Sequence, residues 1–211
     1  MRQFPILVAA ALGGVMAAGC TSPSHTYVAD EATGTQYALP AGWQADDLVR
    51  LGEDPESPLA VPDGVITEQV FAPGGASLPD GWSPFVDFPF GYTRVRSLST
   101  EEQDEMSIKA LRSAVIDIDA ARASDPAGVS VLDQQLLASD GYRGEHLLYS
   151  WYVTPEDPET PPMTVTVDQT TYLDPFTSRE YVFVIACNSD CFLEHSEAIQ
   201  GIVGSWSVVP A

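Results

Sequence analysis

Residues 180–191, "EYVFVIACNSDC", decide how the rest of this chain is interpreted. The run from Tyr181 to Ala186 is apolar at every position, which predicts a central strand covered on both faces of its sheet. The segment after it carries an apolar stripe at helical spacing, formed by Phe192, Ile199, Ile202, Val203 and Trp206. The stretch therefore predicts a buried strand that leads into a closing helix.

The segments before this stretch predict an antiparallel meander. Residues 129–138 and 142–153 flank "SDG", a strong hairpin signal, and residues 163–173 are joined to the 180–187 strand by "DPFTS". Further upstream, residues 35–43 and 65–71 are strand-like. A helix is predicted between them and the meander, capped by Ser99 or Thr100 and ending before Pro126. The expected fold class is α+β, an antiparallel meander flanked by helices.

The first residues have the layout of an exported protein. Arg2 precedes a short apolar run, and small residues lead into Cys20. "Ala17-Ala18-Gly19-Cys20" resembles a bacterial lipobox, in which the cysteine is diacylated and becomes the new N-terminus. The alternative is ordinary cleavage after Gly19, which leaves a free thiol. We expect a signal peptide at 1–19, a flexible tether at 20–35 that starts at lipidated Cys20, and a single domain at 36–211.

Composition narrows the classes of partner. The chain carries 30 acidic residues against 9 lysines and arginines, a formal net charge of −21. Such a surface repels nucleic acid and other polyanions. Cations, an envelope protein, a basic protein surface and a neutral ligand remain open as partners. No cofactor-binding motif is present, so we expect no cofactor.

The order of segments permits a comparison with a known family. A strand ending in "YALPAGW" (37–43), a middle helix, a meander and a closing helix together resemble the PsbP-like fold. "TYLDPFTSREYVFVIACNSDCFLEHSEAIQGIVGSW" (171–206) is similar to the actinobacterial LpqN-type lipoproteins. The resemblance implies an α/β/α sandwich and a protein that acts by binding partners. It carries no shared catalytic motif, and fold analogy is a weak guide to function.

The two cysteines at the end of the decisive stretch have competing interpretations. Outside the membrane, Cys187 and Cys191 are expected to form a disulfide between the strand and the helix. Their spacing is not the C-x-x-C of thiol oxidoreductases. The rival hypothesis is a metal site, because His195 follows one helical turn after Cys191. The disulfide is favoured, since His195 falls on the apolar stripe and is expected to pack in the core.

Catalytic candidates are few. There is no G-x-S-x-G elbow and no H-E-x-x-H helix. His146 shares a strand face with Leu148 and Tyr152, where it could act as a general base in an envelope enzyme, although a cross-strand packing role is favoured. We therefore expect a protein that is not an enzyme.

The remaining candidate is the aromatic segment "DGWSPFVDFPFGY" (80–92). Long loops in compact domains are often functional. A partner-binding loop would use its five aromatic residues, Trp82, Phe85, Phe88, Phe90 and Tyr92. The alternative is that these side chains cover one edge of the core. The sequence as a whole predicts a lipid-anchored, extracytoplasmic binding module at the cell envelope.

Overall fold

The computed structural model describes residues 24–47, 64–76, 87–125, 127–154 and 161–209. The strands of this part of the chain are β1 (His25–Asp30), β2 (Thr35–Pro40), β3 (Trp43–Asp47), β4 (Val65–Pro73), β5 (Phe90–Ser97), β6 (Val129–Ser139), β7 (Tyr142–Val153), β8 (Met163–Leu173), β9 (Arg179–Asn188) and β10 (Ser207–Val208). The helices are α1 (Thr100–Glu105), α2 (Ile108–Arg112), α3 (Ile118–Ser124), α4 (Ser189–Glu194) and α5 (Ser196–Ser205). No helix within these ranges is both long and apolar enough to span a membrane.

The strands form two antiparallel sheets. The larger has seven strands in the order β3-β4-β5-β9-β8-β7-β6, and the smaller has the order β1-β2-β10. The predicted meander from β6 to β9 is confirmed. The α+β class with an antiparallel sheet between helical layers is confirmed as well.

The centre of the large sheet is buried on both sides, as the apolar run predicts. Along β9, Tyr181, Phe183 and Ile185 point to the layer that contains α5 and β2. The intervening residues, Val182, Val184 and Ala186, point to the opposite layer, which contains α3. Because successive strand residues alternate between faces, a strand between two layers needs apolar residues at every position.

The turn between β6 and β7 follows from its sequence. Asp140 and Gly141 both have positive φ, 51° and 85°. Two such residues form the type I′ geometry that matches the twist of a two-residue hairpin, and Asp-Gly is well suited to it. The hairpin fixes the register that pairs Gln135 with His146.

Part of the segment predicted to be a flexible tether is a strand. His25–Asp30 is not flexible but forms β1, which pairs along its full length with β2. The prediction of a flexible tether is therefore wrong for residues 25–35. The sequence pattern did not predict this strand, because its residues are mostly small or polar. β1 presents only Val28 to the core cluster and is otherwise largely exposed.

The middle helix is interrupted, in contrast to the single helix that was predicted. Ser99 caps its first turn in a capping box with Glu102, as expected. Two further caps, Ser107 and Asp117, accept hydrogen bonds from Ala110 N and Ala120 N and begin new helices. Serine and aspartate compete with helical hydrogen bonding from interior positions, so they divide the segment into α1, α2 and α3.

Candidate functional site

The disulfide between Cys187 and Cys191 is present. Cys187 lies near the end of β9 and Cys191 in the first turn of α4, with 6.0 Å between their Cα atoms. Asn188 caps α4 by accepting a hydrogen bond from Cys191 N at 2.9 Å. Because both sulfur atoms are joined to each other, neither serves as a thiolate ligand, and the rival metal site of Cys187, Cys191 and His195 loses two of its three donors.

His195 is not a core residue, in contrast to our expectation. It lies half-buried at the junction of α4 and α5, where it lines an open groove of about 570 Å³ between these helices and the β1–β2 hairpin. The groove is also lined by His25, Ala38, Pro40, Glu194, Glu197, Ala198, Gly201 and Ile202. Within the described ranges, no three histidine, cysteine or acidic residues are placed to hold a metal ion.

The aromatic segment is only in part a loop. Trp82 and Phe85 lie outside the described residues. Phe90 and Tyr92 belong to strand β5, and Phe90 is 1 % exposed. Phe88 is half-buried and packs against Val70 and Phe90. A binding role for Phe90 and Tyr92 in a surface loop is therefore wrong, because both side chains cover the core.

The large sheet has one face that is only partly covered. The α4–α5 layer packs on a core cluster centred on β2 and β9. On the same side of the sheet, the side chains of β8 are still buried, with Asp168 7 % exposed, whereas Tyr152 on the neighbouring strand β7 is 51 % exposed. We call this surface the open sheet face, and it consists of Asp133, Gln135, His146, Leu148, Ser150, Tyr152, Thr166, Asp168 and Thr170.

His146 lies at the centre of the open sheet face between two carboxylates. Its Nε2 is 2.9 Å from Asp168 Oδ1, and its Nδ1 is 3.8 Å from Asp133 Oδ2. Gln135 donates a hydrogen bond of 2.8 Å to the same Asp133 oxygen. The strand register explains the cluster, because Leu148 of β7 lies opposite both Asp133 and Asp168 and is two residues from His146.

The surroundings of His146 favour its protonated form. The hydrogen bond with Asp168 raises the pKa of His146, partial burial opposes this, and the charges of Asp168 and Asp133 raise the pKa further. A general base needs a ring nitrogen that can reach a substrate proton. Nε2 of His146 is hydrogen-bonded to Asp168 and Nδ1 faces Asp133, so both ring nitrogens are directed at carboxylates of the strand surface.

Most cations of the described chain are engaged on the opposite side of the large sheet. Glu180 is 3 % exposed and pairs with Arg94 at 3.5 Å and with Arg96, which also binds Glu102. Lys109 lies 3.5 Å from Asp119 and Arg112 lies 3.1 Å from Glu145. Hydrogen bonds from the Ser99 backbone, and then from Arg96, lower the pKa of Glu102 to about 2. These pairs leave the outer surface dominated by carboxylates.

Comparisons with known proteins support the fold. The chain is similar to the solution structure of cyanobacterial PsbP from Synechocystis, with a TM-score of 0.51, 13 % identity, and coverage of 90 % of this chain and 96 % of that one. The Ran-binding protein Mog1p of Saccharomyces cerevisiae aligns with a TM-score of 0.45 and 10 % identity over 88 % of this chain and 95 % of its own. No family model and no curated protein sequence matches the chain. At such identities a likeness concerns the fold alone, and the likeness to cyanobacterial PsbP confirms the PsbP-like architecture.

The partners of His146 were missed by sequence reasoning. Asp168 is the one charged residue of β8, in the middle of "MTVTVDQTTYL". A carboxylate inside an otherwise apolar and threonine-rich strand is a signal that a charge partner lies across the sheet. With the two hairpin registers assigned, the sequence would have placed Asp168 beside His146.

Proposed function

We propose that this protein is a non-catalytic binding module that a lipid on Cys20 holds at the outer face of the cell membrane. The lipobox-like sequence and the resemblance to LpqN-type lipoproteins support the anchor. The PsbP-like fold supports a role in binding, since the resemblance implies proteins that act through partners.

The observation that carries the proposal is the open sheet face. Its polar groups are already ordered by the His146–Asp168 and Gln135–Asp133 contacts, at 2.9 and 2.8 Å. A surface that is ordered before binding loses less conformational entropy when a partner docks. Tyr152 at its edge adds exposed aromatic area, which is enriched among the residues that contribute most to interfaces.

Charge sets the chemistry of the partner. The open sheet face contains two carboxylates and one histidine, on a chain with a formal charge of −21. Long-range repulsion disfavours polyanions, whereas a basic or neutral protein surface associates without this barrier. The proposed partner is thus an envelope protein with a neutral or basic contact surface, or a neutral ligand.

A pair of matched variants tests the binding role. Tyr152→Ala removes an exposed aromatic side chain from the open sheet face, and Phe176→Ala removes an exposed one from the β8–β9 turn. We expect Tyr152→Ala to weaken partner capture from envelope extracts by about tenfold or more, which corresponds to an interface residue worth roughly 1.4 kcal/mol. Phe176→Ala should leave capture unchanged. Equal capture by both variants and the unaltered protein would refute the proposed surface.

The anchor is tested independently of the partner. The mature protein should partition into detergent, and Cys20→Ser should release it or block processing. Two acyl chains give stable membrane binding, whereas one gives only marginal binding. A soluble full-length product with an unmodified Cys20 thiol would contradict the proposed lipid anchor. The binding role would still be tested by the Tyr152→Ala and Phe176→Ala variants.

A further inference from the structure

Strand β1 begins much closer to the proposed anchor than the sequence indicates. His25 is the first residue of β1, so four residues separate it from Cys20. Five residue steps of extended chain span at most about 18 Å. A domain of this size has a radius of gyration of about 16 Å. Its diameter is therefore more than twice the distance that these five residue steps can span.

The attachment point is fixed to the domain. β1 pairs with β2 from His25, opposite Pro40, to Asp30, opposite Thr35. Just before the strand, Ser24 O accepts a hydrogen bond of 3.0 Å from Ala41 N. Val28 packs against the core cluster of β2, β9 and α5. A lipid on Cys20 would therefore restrain the whole domain and not only a flexible segment.

The surface nearest to the attachment point is the groove between the β1–β2 hairpin and the α4–α5 helices. His25 itself lines this groove, together with Pro40 and Gly201. Two exposed apolar side chains belong to the same elements, Tyr27 on β1 and Leu193 on α4. Tyr27 lies opposite Ala38, which is another groove residue.

We infer that this groove faces the bilayer that carries the anchor and that lipid headgroups occupy it. The inference rests on the lipid anchor of the proposed function. The length of chain before β1 selects the occupant, because a surface held within about 18 Å of the lipid leaves no room for a folded partner in between. Glu194 and Glu197 at the groove disfavour anionic headgroups, so zwitterionic or neutral lipids fit it. The layer of α1–α3 lies on the other face of the large sheet and points away from the membrane.

The test uses two matched labelling sites on the full, acylated chain. Glu197 lies in the first turn of α5 at the groove, and Glu101 lies in the first turn of α1 on the distant layer; both are exposed. Because Cys187 and Cys191 are joined and Cys20 is acylated, Glu197→Cys or Glu101→Cys supplies one reactive thiol for a fluorophore. The protein is placed in phosphatidylcholine vesicles that contain lipids with a nitroxide quencher on the headgroup.

We expect the fluorescence at position 197 to be lost and that at position 101 to be retained. A long glycine–serine insertion after Ser22 should restore the fluorescence at 197, since it frees the domain to rotate. Equal quenching at both positions on protein with verified acylation would overturn the inference and leave the anchor intact. A lack of acylation at Cys20, with no quenching at either position, would overturn both.

Discussion

The two halves of the large sheet differ in how they are covered. Around β9, both faces are buried by apolar side chains, and three aromatic rings stack there: Phe71, Phe183 and Trp206. On β6 and β7, one face packs against helices, whereas the other presents His146, Asp133 and Tyr152. The first half stabilises the domain, and the second half is the proposed binding surface.

The largest expected effect comes from the covered half. Phe183→Ala should reduce the free energy of unfolding by about 3–5 kcal/mol, because it leaves a cavity between Phe71 and Trp206. Tyr152→Ala should change it by less than about 0.5 kcal/mol, as expected for an exposed position. Urea unfolding of the three proteins measures both values. A large loss with Tyr152→Ala would mean that the open sheet face is part of the core.

A pair of glycines tests how tightly the covered half is packed. A methyl group at Gly91 would overlap the buried ring of Phe71, so Gly91→Ala should cost roughly 3 kcal/mol, at the upper end for overpacking. Gly201 lies in α5 with open space where a Cβ would be added, and Gly201→Ala should stabilise the protein by up to about 1 kcal/mol. Thermal unfolding distinguishes the two substitutions by the sign of the change in melting temperature. A neutral Gly91→Ala would contradict the close approach of β4 and β5.

The disulfide joins the covered half to its helical layer. Replacing Cys187 and Cys191 together by alanine should lower the free energy of unfolding by about 2 kcal/mol, a modest value because the closed loop is short. The unreduced domain should also resist alkylation and be two hydrogens lighter than the dithiol form. If both cysteines were alkylated without reductant, the disulfide would be absent in the native protein.

The smallest effect belongs to the open sheet face and depends on pH. The raised pKa of His146 means that its protonated form stabilises the fold. This contribution is fully present below the ordinary histidine pKa of about 6.5 and is lost as pH rises through the higher folded value. The stability advantage of the native protein over His146→Gln should therefore shrink between pH 5.5 and pH 8.5.

The two carboxylates beside His146 offer a control. Asp168→Asn should lower the pKa of His146 more than Asp133→Asn does, since the contact distances are 2.9 and 3.8 Å. An NMR titration of the His146 ring measures both shifts. A larger shift with Asp133→Asn would contradict the observed pairing.

The sequence predicts the covered half much better than the open one. An apolar run as short as Tyr181–Ala186, rich in β-branched and aromatic residues, is typical of a buried strand, and the Asp140–Gly141 turn specifies its own geometry. Strand β1 was missed because pairing with β2, rather than an apolar pattern, holds it in place. His146 and Asp168 are 22 residues apart in the sequence, and their pairing depends on the register between β7 and β8, which no local pattern encodes. The middle helix breaks at Ser107 and Asp117 because each of these residues caps a new helix instead of lying inside one. Helix propensity alone does not predict which of these two positions a serine or aspartate takes.

The central claim, that the open sheet face is the binding surface of an anchored module, is tested most directly by site-specific photo-crosslinking in intact cells. A photoreactive amino acid replaces Tyr152 in one protein and Phe176 in the other, both exposed positions. We expect a discrete adduct of higher mass from position 152 and none from position 176. Folded, membrane-bound protein that gives no adduct at 152, or the same adduct at both positions, would contradict the claim.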